Sequence, residues 1–135
     1  MERRHVSGGT EWEPKVGYSR ATRVGDRILV SGTTATDEDG NPVAPGDPAA
    51  QTRRALEIVM AAIEEAGGRR EDVVRTRIYV TDADDWAAVG SVHEEFFGDV
   101  RPASSMVEVS RLIGSEYVVE VEAEAVVGAG ESYDN

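Results

Sequence analysis

The chain contains no cysteine, only two histidines, and nowhere a long apolar run. Without cysteine there can be no disulfide, no thiolate metal site and no cysteine nucleophile. No segment approaches the roughly 18 apolar residues of a membrane span. The opening residues, from Met1 through His5 to Gly9, lack the apolar core of a signal peptide. A cytoplasmic protein without membrane contact is therefore expected. Basic residues are scarce as well, 14 against 26 acidic ones, for a formal net charge of −12. Such a field opposes a phosphate backbone, and the pairs Arg3-Arg4, Arg53-Arg54 and Arg69-Arg70 are too short and too surrounded by carboxylates to overcome it. No nucleic-acid partner is expected. Spacings of the His-x-x-x-His type are absent, and the Gly-Gly and Gly-x-x-Gly fragments form no strand-to-helix phosphate loop. Neither a metal nor a cofactor is predicted.

What is there fits one domain over residues 1–135, long enough to bury about two-thirds of the surface its unfolded form exposes. Residues 16–24 and Arg27–Gly32, separated by the turn signal Gly25-Asp26, predict a β-hairpin. The stretch from Asp37 to Gly46, rich in glycine and proline, reads as an exposed loop. Asp47-Pro48 supplies a cap and a first-turn proline, and Leu56, Val59, Met60 and Ile63 then recur at i, i+3, i+4 and i+7, so a helix runs to Gly67-Gly68. Val73–Val80 is short and β-branched, a strand. Thr81, Asp82 and Asp84 offer caps for a second helix that carries Trp86, Val89, Val92, His93 and Phe96 and stops at Gly98. Two more strands, about 104–110 and 117–127, complete the order ββαβαββ. This predicts an α+β fold with two helices on one face of a mixed sheet. Ile28 and Val30, Val107 and Val109, and Val119 and Val121, spread over alternating pleats, leave neither sheet face wholly polar, and self-association through the bare face is the natural cover. Residues 128–135 read as a loose tail, and His5 lies in a mobile N-terminus.

Several landmarks stand in order along nearly the whole chain: Gly17-Tyr18, Val30-Ser31-Gly32, Ala66-Gly67, the run Asp72–Val80, Phe96-Phe97-Gly98, then Arg101–Leu112 and Glu116–Val127. Together they resemble the RidA (YjgF, L-PSP) family. The resemblance implies a chorismate-mutase-like protomer assembled as a homotrimer with a central barrel, and small-molecule clefts at the subunit interfaces. It also implies that Glu120 positions a water for attack on an imine, that Tyr18 lines the cleft, and that Ser31 and Gly32 lie against the ligand. Ser104, Ser105 and Met106 fall on the remaining cleft positions. The chain departs from the imine-hydrolysing pattern at three positions: Ser104 replaces the arginine that grips a substrate carboxylate, Gly90 replaces an asparagine, and Met106 a cysteine. A hydroxyl supplies one neutral donor where guanidinium supplies a charged fork.

Each of these assignments has a plainer alternative. Glu120, Glu122 and Glu124 recur at every second residue, so they also read as the polar row of a last strand, with Arg75 and Arg77 as cross-strand partners. Tyr18 is equally suited to packing in a half-buried strand. Gly32 fits a strand bulge as well as a close approach to ligand. Arg77 is a candidate replacement anion handle, or else one end of an interstrand ion pair. His93, on the apolar side of its helix, reads as packing beside Phe96 or Phe97. The functional expectation is an imine or enamine deaminase with Glu120 and Tyr18 at its centre; the alternative is a non-catalytic trimer that binds a small ligand. The endoribonuclease and translation-inhibitor names of relatives do not suit so acidic a chain.

Overall fold

The computed structural model describes residues 1–132. Six strands form one sheet in the order β1-β2-β3-β6-β4-β5. They are β1 (Arg3–Val6), β2 (Ala21–Val24), β3 (Arg27–Thr33), β4 (Val73–Val80), β5 (Ala103–Glu108) and β6 (Val119–Val126). The helices are α1 (Trp12–Val16), α2 (Pro48–Glu65) and α3 (Trp86–Phe97). All strand pairs are antiparallel except β4–β5, which α3 joins as a parallel crossover. The expected ββαβαββ core is present, with two additions at the N-terminus. Residues 3–6 pair with β2, so His5 sits in a strand opposite Thr22 and not in a mobile end. Only Val6 of that strand is buried, which is why composition alone did not reveal it.

α2 begins as its sequence requires, the Asp47 side chain accepting from the Ala50 amide and Pro48 opening the first turn. Its stripe Leu56, Val59, Met60 and Ile63 packs on the sheet together with Val89, Val92 and Phe97 of α3. Burying such a side chain contributes roughly 1.5–3 kcal/mol. Trp86 lies outside this core, exposed at the start of α3. From the sheet, the stripe meets Ile28, Val30, Ile78, Val80, Val119 and Val121. The two β3 and two β6 valine or isoleucine positions thus share one covered face, because the β3–β6 register sets Ile28 against Ala125 and Val30 against Ala123. Val107, set against Tyr79, lies on the open face and is exposed, so the expected apolar positions do divide between the two faces. The open face carries Arg27, Leu29, Arg75, Arg77, Tyr79, Glu120, Glu122 and Glu124, a charged lattice with isolated apolar members.

Of the segment 128–135, Ala129–Ser132 forms a 3₁₀ turn, and the Gly130 amide donates to the buried Asp72 carboxylate at 2.9 Å. Residues 133–135 lie outside the described residues. Two long loops are pinned by one buried side chain: Gln51 Nε2 donates to the carbonyls of Val43, Ala44 and Glu116, and its Oε1 accepts from the Val118 amide. No helix among the described residues is long and apolar enough to cross a membrane.

Candidate functional site

Glu120 projects from the start of β6 onto the open face, across from Tyr79 on one side and beside the β3 bulge on the other. That bulge lies between Val30 and Thr33, so Ser31 and Gly32 are where the β3–β6 ladder slips. A Cβ built on Gly32 would stand 2.7 Å from Glu120 Oε2 and 3.0 Å from its Cδ. The strand-bulge reading of this glycine holds, and its missing side chain leaves room for a close approach from within the protein. The approaching group is the Glu120 carboxylate.

Arg20 supplies the cation of this corner, and the motif reading did not find it. It occupies the same sheet face as Thr22, two residues on, and its Nη2 donates to the Gly32 carbonyl at 2.6 Å. The guanidinium carbon lies 5.9 Å from the Tyr18 ring centroid, within cation–π range. Its Nε is buried and has no hydrogen-bond partner among the described residues. Strand alternation counted back from Thr22 was the available signal.

Burial pushes the Glu120 carboxyl above its usual value, with Glu122 adding to the rise and Arg20 opposing it. Burial pulls Arg20 below its own usual value, against the raising influence of Tyr18, Glu13 and Glu120. A half-buried carboxylate that accepts no hydrogen bond from any described residue, moved toward neutrality and faced by a guanidinium, has the character of a general base.

Tyr18 is 37% exposed and is delivered by the turn that ends α1. Gly17 makes that turn, with φ at 92° and its amide donating to the Glu13 carbonyl. Glu13 is itself buried, its carboxylate accepting from the Gly8 amide and the Thr10 hydroxyl. Tyr18, Ser31, Ser19, Gly17, Glu13 and His5 line a shallow open cleft at this end of the sheet. The Ser31 hydroxyl is spent within the protein, donating to the Ser19 carbonyl at 2.6 Å.

Arg77 stands directly across from Glu122, and Arg75 across from Glu124. Arg77 Nη1 lies 3.5 Å from Glu122 Oε1, which also accepts from the Tyr79 hydroxyl at 2.7 Å. The interstrand ion pair is therefore formed. Arg77 helps line a second depression, with Leu29, Arg75, Glu122 and Glu124, whose walls are mostly paired charges. Among the described residues no group of acidic or imidazole side chains is arranged to hold a metal ion.

The other candidates lie on β5, an edge strand two places from β6. Ser104 pairs with Thr76 and faces the helices, Ser105 pairs with Arg77 and faces the open side, and Met106 returns to the helix side, packed against the core. The Thr76 hydroxyl is fully buried; it lies 2.8 Å from Ser104 Oγ and 2.8 Å from His93 Nε2. His93 does pack against Phe97, with ring centroids 4.9 Å apart, and burial lowers its pKa below the usual value. One turn before His93 on α3, a Cβ added at Gly90 would meet nothing within 4 Å.

One protomer therefore does not unite the candidate residues. Tyr18, Ser31, Gly32 and Glu120 gather at the β2-β3-β6 end on the open face, whereas Ser104 and Met106 belong to the helix side of the far edge.

Comparison with known proteins covers this whole architecture. The family described as Endoribonuclease L-PSP matches residues 9–127. An uncharacterized protein of Streptomyces coelicolor is 41% identical over 129 residues, 96% of each chain. A RutC family protein of Pyrococcus abyssi is 41% identical over 116 residues, 84% of this chain and 91% of the relative. Among solved structures, a Mycobacterium tuberculosis member of the YjgF/YER057c/UK114 family is 49% identical with a TM-score of 0.85, covering 93% of this chain and all of the other. The YjgF gene product of Escherichia coli is 34% identical with a TM-score of 0.74, covering 90% and 91%.

Proposed function

The chain belongs to the Endoribonuclease L-PSP family, the group that includes the YjgF and RutC proteins, and from that membership we propose that it hydrolyses small reactive imines in a cleft shared by two copies of itself. The observation that carries the reading is Glu120: a half-buried carboxylate with raised pKa, lodged over Gly32 and facing Arg20. In the proposed reaction Glu120 takes one proton from water as the oxygen adds to the C=N carbon and passes that proton to the nitrogen, giving a neutral carbinolamine. Glu120 then takes the carbinolamine hydroxyl proton as the C–N bond breaks and gives it to the leaving nitrogen, so that a carbonyl compound and ammonia form and the carboxylate is regenerated. Tyr18 borders the bound imine, Gly32 keeps room for the base, and Ser31 fixes the loop that holds them. Arg77 is held by Glu122 and plays no part.

A homotrimer in which the β2-β3-β6 end of one copy meets the β5 edge of the next would bring both groups of residues to one ligand. The family resemblance and the uncovered sheet face support that assembly, and a cytoplasmic setting belongs to the same proposal. The family's name mentions ribonuclease, but a net charge of −12 gives RNA no electrostatic foothold. A second reading, a ligand-binding trimer without catalysis, is favoured by one observation: Ser104 stands where a charged substrate grip is expected.

The test is ammonia release from imines generated in situ by an amino-acid oxidase, with wild type, Glu120→Gln and Ser104→Arg compared. Wild-type acceleration lost by at least about 100-fold in Glu120→Gln supports the hydrolase. No acceleration by wild type, with activity appearing only in Ser104→Arg, supports the binding protein.

A further inference from the structure

The hydroxyl of Ser104 is not an isolated surface group. It ends a chain of three side chains from three elements, His93 on α3, Thr76 on β4 and Ser104 on β5, each 2.8 Å from the next. The middle hydroxyl is fully buried and the imidazole partly so, while Ser104 is open to solvent. Each member can both give and accept a hydrogen bond while uncharged.

We propose that His93, Thr76 and Ser104 form a neutral hydrogen-bond relay that binds an uncharged carbonyl, amide or imine group of the ligand and selects against a carboxylate. The tautomer of His93 sets the polarity of the whole chain. With the proton on Nε2, His93 donates to Thr76, Thr76 donates to Ser104, and Ser104 donates outward to a ligand oxygen. With the proton on Nδ1, every bond reverses, and Ser104 accepts from a ligand N–H. Switching between the two moves the ring proton from one nitrogen to the other by exchange with solvent and turns the two hydroxyls, and it creates no charge. A carboxylate gains little here: the relay offers one neutral donor, and the net charge of −12 adds no attraction. Burial lowers the His93 pKa, which favours the neutral ring the relay requires. Thr76 and His93 act as positioning residues and only Ser104 touches the ligand.

This inference rests on the proposed cleft in taking Ser104 as part of it, but it is tested without catalysis. Pyruvamide and pyruvate share a skeleton and differ in charge. Each is titrated into protein carrying ¹⁵N-labelled histidine, and with only His5 and His93 present, a His5→Gln variant assigns the ring signals. The expected result is that pyruvamide moves the His93 ring nitrogens and binds about tenfold or more tightly than pyruvate. Ser104→Ala should abolish the shift. Thr76→Val should leave His93 blind to the ligand, and Thr76→Ser should restore the response, which separates the relay from a fold defect. Ser104→Arg should invert the preference. Pyruvate binding as well as pyruvamide, His93 signals unmoved by either, or unchanged shifts in Ser104→Ala would each overturn the proposal. A protein that releases no ammonia yet responds to pyruvamide in this way refutes the hydrolase and leaves the relay standing.

Discussion

Gly32 lies beneath the carboxylate of Glu120, and the methyl of an alanine would fall 2.7 Å from Oε2. The obstructing atom is the end of a side chain, so Gly32→Ala should displace Glu120 and leave the fold intact. We expect a loss of about 100-fold in ammonia release, the scale of a 1 Å misplacement, with thermal unfolding nearly unchanged. Glu120 itself should cost stability where it is charged. Its folded pKa is raised, so the native state binds the proton more tightly than the unfolded chain. The contribution is fully present below the unfolded value of 4.5 and is lost as pH rises through the folded value. Glu120→Gln should therefore unfold at higher temperature than wild type at pH 7, by about 1 kcal/mol or less given its solvent contact, with the difference vanishing near pH 4. Calorimetry at the two pH values measures this; a variant less stable at pH 7 would contradict it. At this scale the sequence exposed Glu120, Gly32 and Ser104 because they stand inside recognisable strings. Arg20 could be reached only by counting strand alternation back from Thr22, and the link from His93 to Ser104 was not legible, since it depends on strand register between elements.

At the scale of elements, the boundaries written in local chemistry were the ones that could be read. Asp47-Pro48 opens α2 and Gly98 follows α3, both through capping that a few adjacent residues decide. α1, with five residues and a proline, has no periodicity to read, and β1 presents three exposed polar residues to one buried valine. The Gln51 latch was equally silent, because its three carbonyl partners and one amide come from segments up to 67 residues away. Replacing Gln51 with alanine strands those groups in a fully buried site. We predict a loss of about 2–4 kcal/mol in denaturant titration, with the loops at 43–46 and 116–118 becoming the first to exchange amide hydrogen.

For the whole molecule, the open sheet face is the feature that most constrains assembly. The sequence expectation that neither face is wholly polar agrees with an open face whose arginines and glutamates are interspersed with Leu29, Tyr79 and Val107. Partners on such a face are matched through charge register, so the proposed trimer should sediment as one species at physiological salt and loosen as salt rises. The placement of Glu120 and Ser104 on opposite sides of distant strands has a genetic counterpart. In the proposed ring, each cleft takes its base from one copy and its relay from the next. Two dead proteins, Glu120→Gln and a Ser104→Trp variant that blocks the groove, should then rescue each other when unfolded together and reassembled in equal amounts. Random association gives a sound cleft at about one interface in four. Recovery of roughly a quarter of wild-type activity from two inactive parents would make complementation, ordinarily a property of alleles, a measurement of which residues belong to which chain.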